Sequence, residues 1–427
     1  MGETQKKEKK KIGLTTKIFI ALLAGAVFGI VLCYAVPSGH IKDDIIVEGV
    51  LYVVGQGFIK LMKMLVVPLV FCSLVCGSMS IGDTKKLGTV GARTLIFYLA
   101  TTALAVTVAL SVGNLINPGV GLDMSTIKTN AASVETMKAT SLTDTLLNII
   151  PDNPINSLAS GEMLQIIVFA LIIGVILAKL GERAETVANF FSQFNDIMME
   201  MTMMIMSLAP IGVFCLISRT FANIGFSAFI PLAKYMIGVL LALAIQCFGV
   251  YQILLKIFTG LNPLKFIKKF FPVMAFAFST ATSNATIPLS IDTLTKKVGV
   301  SKKISSFTIP LGATINMDGA AITITIMALS VANTMGVSVD VPTALMLSLM
   351  ATLGACGASG VAGGSLLLIP MACSLFGIPQ DISMQAVAVG MIIGVVQDSL
   401  ETAINSSGDV LFAATAEYRQ WQKDGRE

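Results

Sequence analysis

Asn316-Met-Asp-Gly319 and Asn405-Ser-Ser-Gly-Asp409 are two short polar strings, each set inside a long apolar stretch, the first in 304–334 and the second in 382–415. Each stretch follows a run of small residues. Ser279-Thr-Ala-Thr-Ser-Asn-Ala-Thr286 precedes Ile287-Pro288, and Gly354-Ala-Cys-Gly-Ala-Ser-Gly-Val-Ala-Gly-Gly-Ser365 precedes an apolar segment that reaches Pro370. The last third of the chain, 262–418, therefore reads as one layout written twice: a small-residue hairpin, then a span with an Asn/Gly/Asp interruption. Backbone rich in Gly and Ser cannot face lipid, because its free N–H and C=O groups would lack partners there. It is tolerated when buried in protein or lining a watery cavity. Paired interruptions in corresponding halves point to a transport site near the middle of the membrane. Close helix packing through small residues explains 354–365 taken alone, but it does not explain the acids nearby.

Those acids are Asp318, Asp398, Glu401 and Asp409. Each costs about 2.5–3.5 kcal/mol at the centre of a spanning helix, so such residues mark ion or substrate pathways. Asp398, Thr402, Asn405 and Asp409 are spaced four, three and four apart, which puts them on one helix face with Glu401 beside it. Carboxylate, amide and hydroxyl oxygens, with carbonyls freed by a helix break, are hard ligands suited to a hard cation. The seven cysteines (33, 72, 76, 215, 247, 356 and 373) all fall in apolar stretches and read as packing residues. His40 is the only histidine. With no His/Cys cluster, the expected ion is an alkali cation.

Working outward, the 427-residue chain is 55% hydrophobic and 13% charged, with a mean hydropathy of +0.83. Soluble proteins carry about 25% charged residues, so a soluble enzyme, a disordered protein and a nucleic-acid binder are excluded. A bilayer-spanning helix needs about 20 apolar residues. Spans are expected at Ile18–Val36, whose apolar core is long for a signal peptide, and at 47–81, 88–116, 163–180, 195–218 and 228–256. Lys and Arg in the connections divide 22 to 5 between the two sides, with Lys60 and Lys63 inside a span. That bias places both termini in the cytoplasm, provided the last third holds an even number of crossings with two re-entrant excursions. The stretch Asn117–Gly161 reads as an external connector, and the methionines at Met198–Met206 as adaptable core.

On these residues the sequence resembles the dicarboxylate/amino acid:cation symporter family, which includes the excitatory glutamate transporters. The matching motifs are Leu61-Met-Lys-Met-Leu-Val-Val-Pro68, Thr282-Ser283, Asn316-Met-Asp-Gly319, Gly360-Val361 and Asp398–Asp409, in the family's order over nearly the whole chain. Within the family, Gly354–Pro370, Ser306–Thr325 and Asp398–Phe412 are most similar to bacterial sodium:serine/threonine symporters.

The resemblance implies an all-α polytopic membrane protein with eight transmembrane helices, two re-entrant helical hairpins and inverted repeats, assembled as a homotrimer in the cell (inner) membrane. Residues 1–15 would be a basic tail, 16–81 scaffold spans 1–2, 88–116 transport-domain span 3, 117–161 an external loop, and 162–220 scaffold spans 4–5. Residues 227–258 would be transport-domain span 6, 262–300 the first hairpin, 304–334 broken span 7, 341–374 the second hairpin, 381–418 broken span 8, and 419–427 a cytoplasmic tail. The transport domain would slide against the scaffold.

It also implies sodium sites and a substrate site. One sodium site would use the Gly312 carbonyl, Asn316, Asn405 and Asp409. A second would use Tyr98, Thr101, Thr102, Asn316 and Asp318. A third would use Thr314 and the stretch from Ala355 to Ala358, largely through backbone. The substrate's ammonium group would pair with Asp398. Its carboxylate would meet Ser283, Thr402, Asn405 and backbone near Val361 and Ser365, with Ala281 and Ala320 also lining the site. Carriers of aspartate or glutamate place an arginine at the position of Glu401 and a threonine at that of Ala320. Arginine holds a carboxylate through a two-pronged fork, whereas Glu401 would repel a second carboxylate. Serine and threonine are the expected substrates, sodium the coupling ion, and no other cofactor is expected. The alternative is a sodium- or proton-coupled carrier of acidic amino acids or C4-dicarboxylates. A channel would use ligands repeated around an axis, and an enzyme would need a nucleophile–base pair or metal cluster that the sequence does not offer.

Overall fold

The structure is a computed structural model and describes residues 14–83, 88–119, 147, 150–225, 229–337, 339–355 and 363–423. The described residues form helices and connecting turns, without a strand. In order these are α1 (Leu14–Tyr34), a π-helical segment (Ile41–Leu51) that runs into α2 (Tyr52–Asp83), α3 (Gly88–Ile116), α4 (Pro154–Ser160), α5 (Met163–Leu180), α6 (Glu185–Met206) and α7 (Ala209–Ile224). Next come α8 (Phe229–Ala244), a π-helical segment (Ile245–Val250), α9 (Tyr251–Thr259), α10 (Pro263–Thr280), α11 (Ser283–Asp292), α12 (Lys302–Ile315), α13 (Asp318–Thr334), α14 (Val341–Ala355), α15 (Ile369–Ser374) and α16 (Gln380–Lys423). Five stretches among the described residues are long and apolar enough to cross a membrane: Ile41–Met79, Val90–Ile116, Gln165–Met206, Ala233–Thr259 and Lys302–Thr334. Every residue in the most apolar window of the last is buried by protein, whereas α1, α5 and α8 present exposed Val27, Ile172 and Ile237. Apolar side chains facing outward suit a lipid surround.

Packing falls into two groups. α1 lies along α7, and α2 packs on α5, α6 and α7. Separately, α3 packs on α13, while α16 runs against α3, α10, α12, α13 and α15. The far end of α16 is fastened to the segment before α12, where Glu417 Oε2 accepts from the Ser301 N–H at 3.0 Å and the Tyr418 hydroxyl donates to the Val298 carbonyl.

Three expectations from sequence need correction. The stretch 195–218 is not one helix. A helix ends at Met206 and another begins at Ala209, with Pro210 in the first turn of the second, where its missing N–H leaves no helix hydrogen bond unmade; Pro68, Pro272, Pro288 and Pro310 by contrast lie inside helices. The connector 117–161 contains a short helix, α4, capped by Asn153, whose Oδ1 accepts from Ile155 N (3.1 Å) and Asn156 N (3.2 Å). Finally, the interruption expected at Asn405–Asp409 is absent. α16 is helical from Gln380 to Lys423, and its small polar residues serve contact with neighbouring helices.

Candidate ion and substrate site

The break expected between α12 and α13 is present and falls on two residues. Asn316 adopts φ −85°, ψ 80° and Met317 φ −116°, ψ 48°, and α13 starts at Asp318. A carboxylate in the first turn of a helix is favoured by the helix dipole. The break turns the Asn316 side chain toward α16, where Nδ2 donates to Asp409 Oδ1 (2.9 Å) and to the Asn405 carbonyl (3.1 Å). In return Asn405 Oδ1 accepts from the Gly319 N–H at 2.8 Å, supplying one of the donors left open at the start of α13. The two polar strings thus brace each other.

This bracing needs close approach, and glycine permits it. A Cβ on Gly319 would sit 2.7 Å from the Glu401 Cα, and one on Gly408 would sit 2.8 Å from the Tyr251 hydroxyl. Gly312 lies beside the Asp409 carboxylate and the Tyr98 hydroxyl.

Asp318 is buried and ringed by donors. Oδ1 accepts from Thr102 (2.6 Å) with Thr101 at 3.5 Å, and Oδ2 accepts from Gln246 Nε2 (2.8 Å) and the Tyr251 hydroxyl (2.8 Å). Tyr98 donates to the Thr308 carbonyl (3.1 Å) and lies 3.3 Å from the Asp409 carbonyl. Two amide oxygens in this region, Asn316 Oδ1 and Gln246 Oε1, are buried without a hydrogen-bond partner. An acceptor left so costs about 1–3 kcal/mol of desolvation. Buried acids are normally paired with a base. The ion pairs Arg219–Glu48 and Lys296–Asp292 lie elsewhere, and among the described residues none involves these acids. Carboxylate, hydroxyl and amide oxygens without a basic partner form a donor set that fits an alkali cation. Among the described residues no group of His, Cys, Asp and Glu converges as transition-metal ligands would.

The second cluster lies further back along α16. Asp398 Oδ1 accepts from the Gly363 N–H at 3.0 Å. Glu401, 3% exposed, directs Oε1 at three donors: the Thr323 hydroxyl, Gln397 Nε2 (2.8 Å) and the Ser365 hydroxyl (3.2 Å). Tyr235 donates to the other end of the Gln397 amide at 2.7 Å. Glu401 therefore ties α13, α16 and the turn before α15 together, with α8 joined through Gln397, and it has polar neighbours on several sides rather than simply facing a cavity.

The expected site residues fall into three sets. The structure brings Tyr98, Thr101, Thr102, Gly312, Asn316, Asp318, Asn405 and Asp409 into one connected cluster, and Ser365, Asp398 and Glu401 into a second. Ala320 and Ala355 are buried. Ala281 takes the left-handed turn conformation (φ 49°) between α10 and α11, and Ser283 begins α11, linked to α16 through Thr286 and Ser406 at 3.1 Å. Two hydroxyls turn back on their own helices: Thr402 donates to the Asp398 carbonyl (2.9 Å) and Thr314 to the Leu311 carbonyl (2.9 Å). Ala358, Val361 and the Gly360-Val361 motif lie outside the described residues. Sequence reading missed Gln246, Tyr251, Tyr235, Thr323 and Gln397. The available signal was polarity within an apolar stretch, which for Gln246 and Gln397 is reason enough to suspect a site.

The chain is 39% identical over 417 residues to the serine/threonine transporter SstT of Bifidobacterium adolescentis, covering 96% of this chain and 91% of that protein. It is 38% identical over 398 residues to the protein of the same name from Campylobacter jejuni, covering 93% and 94%. The model of the sodium:dicarboxylate symporter family matches residues 14–418, and the chain belongs to that family.

Proposed function

We propose that this protein is a sodium-coupled secondary symporter that imports small neutral amino acids, serine and threonine foremost, and is not an enzyme. The observation that carries the substrate class is Glu401. At the position where carriers of acidic amino acids are expected to hold an arginine, this site has a buried carboxylate held by Thr323, Gln397 and Ser365. A second substrate carboxylate would meet like charge in a site shielded from water, while a hydroxyl can donate to a Glu401 oxygen. The relatives named serine/threonine transporters support the same reading.

In this reading Asp398 holds the substrate's ammonium group, and Ser283, Thr402, Asn405 and backbone near Ser365 hold its carboxylate. Sodium ions bind at Asp318 with Tyr98, Thr101, Thr102 and Asn316, and at Asp409 with the Gly312 carbonyl, Asn316 and Asn405. A third sodium is held by backbone around Thr314 and Ala355. Their positive charge offsets the buried acids, and shared Asn316 and Asn405 couple ion to substrate. The chain has eight spans and two re-entrant hairpins, with both termini in the cytoplasm. The helices grouped around α16 move as one body against α1, α2 and α5–α7 in each protomer of a homotrimer.

Uptake of labelled serine into proteoliposomes, with and without an inward sodium gradient and competed by serine, threonine, alanine and aspartate, tests the reading. Sodium-driven uptake competed by serine and threonine but not by aspartate is expected. Preference for aspartate, or serine uptake indifferent to sodium, would refute it.

A further inference from the structure

Gln246 belongs to the π-helical segment Ile245–Val250 that separates α8 from α9. Such segments inside longer helices are frequent at functional sites. The side chain is fully buried. Its Nε2 lies between two acceptors, the Thr101 carbonyl at 3.0 Å and Asp318 Oδ2 at 2.8 Å, which fixes that end of the amide as the nitrogen. The other end, Oε1, is buried and accepts nothing, and Asn316 Oδ1 on the broken span is in the same condition. Buried acceptors are ordinarily satisfied, so the orphaned Asn316 Oδ1 beside acids with no basic partner calls for a ligand, and no hydrogen bond at the far end of the Gln246 amide holds it against turning over.

We propose that Gln246 is a ligand of the cation bound at Asp318, presenting Oε1 to it after a half-turn of its amide. The inference rests on the sodium-coupled reading above and adds to it an oxygen donor from the helix α8–α9. The terminal torsion of a glutamine is broad and roughly two-fold, so its two ends exchange without displacing the rest of the side chain. With Nε2 toward Asp318 the amide satisfies a bare carboxylate. With Oε1 in that place it joins Asp318, Thr101, Thr102 and Asn316 as a hard oxygen donor. The hydroxyls of Thr101, Thr102 and Tyr251 need only rotate their protons away from a cation. Gln246 must turn over, and this makes it the group in the ring that separates a ligand from a mere hydrogen-bond donor.

Purified protein in detergent at pH 8 provides the test, with choline replacing sodium at constant ionic strength. Two curves are read against sodium concentration: the rise in melting temperature without serine, and the binding of labelled serine. Gln246→Met keeps the length and removes both polar ends, whereas Gln246→Glu keeps an oxygen and removes the N–H. A ligand role predicts that the Met variant needs at least tenfold more sodium for half-effect, while the Glu variant needs no more than wild type. Sodium curves for Gln246→Met within twofold of wild type would overturn the proposal. So would a Glu variant needing more sodium than the Met variant, the result expected if Gln246 only donates to Asp318. The melting temperature in choline shows whether each variant folds, and if Gln246→Met does not, the comparison of Gln246→Glu with wild type decides alone. Wild-type protein indifferent to sodium in both measurements would overturn the symporter reading and the ligand assignment together.

Discussion

At Asn316-Met-Asp-Gly319 the chain leaves the helix for two residues, whereas at Asn405-Ser-Ser-Gly-Asp409 it runs on as α-helix through a string of similar composition. Glycine is not what separates them. Both Gly319 and Gly408 lie within helices and serve close approach, the first to the backbone of α16 and the second to Tyr251 and Asn316. The break falls on Asn316 and Met317, where an amide drawn across to Asp409 and Asn405 replaces the helix's own continuation. In α16 the hydroxyls turn inward or sideways, with Ser407 donating to the Ala403 carbonyl at 2.6 Å and Ser406 meeting Thr286. One string is opened and the other stays whole and caps it. A small-residue motif in a membrane helix therefore marks a contact first and a break only where a neighbour supplies the missing partners.

Removing the acid from each string gives the largest expected effects. Asp318→Ala strands the Tyr251 hydroxyl as a buried donor, at roughly 1–3 kcal/mol, and leaves Thr102 and Gln246 Nε2 only the Tyr98 and Thr101 carbonyls as acceptors. The variant should lose sodium-dependent serine binding and melt well below wild type. Asp409→Ala releases a single side-chain donor, Asn316, so it should fold. By reciprocity it should weaken sodium and serine binding by a common factor. Serine affinity unchanged from zero to saturating sodium in wild type would break the coupling.

Next in size is the pair Glu401→Arg with Ala320→Thr, which replaces a repulsive charge by a fork for carboxylate and adds a hydroxyl. Serine uptake should be lost and some aspartate binding gained, a change in preference read from competition assays. A folded variant that keeps the wild-type ranking would leave Glu401 with a purely architectural role at the junction of α8, α13 and α16.

The two glycines separate more finely. A Cβ at Gly319 meets backbone, which cannot step aside, so Gly319→Ala should cost about 1–3 kcal/mol as overpacking does. At Gly408 the atoms met are the ends of the Asn316 and Tyr251 side chains, which can move. Gly408→Ala should therefore melt closer to wild type while raising the sodium needed for half-maximal binding. Equal melting temperatures for both variants would contradict this division. Smallest of all, Ser407→Ala removes a bond within its own turn and should shift stability by no more than about 0.5 kcal/mol.

Much of this was legible along the chain. The turn at Ala281, the break at Asn316 and the acids of the last helix all stand out because polar or small residues are conspicuous inside apolar stretches. The stop before Pro210 was not readable, because Pro68, Pro272, Pro288 and Pro310 stand in similar stretches and lie inside helices. Gln246 and Tyr251 were visible as polar residues in 228–256, yet nothing in their spacing names Asp318, 72 and 67 residues away, as their partner.

By itself, then, the sequence determined that the chain carries several helices apolar enough for a membrane, roughly where those helices fall, and which oxygens are gathered in its last third, because hydropathy and buried charge are properties of single stretches. Tertiary structure decided which string breaks, which glycine gives room, and which donors hold each acid. Those outcomes depend on distances between helices far apart in the chain. A buried polar group takes whichever partner the packing brings within hydrogen-bond reach, and that choice is made only when α3, α8, α13 and α16 come together.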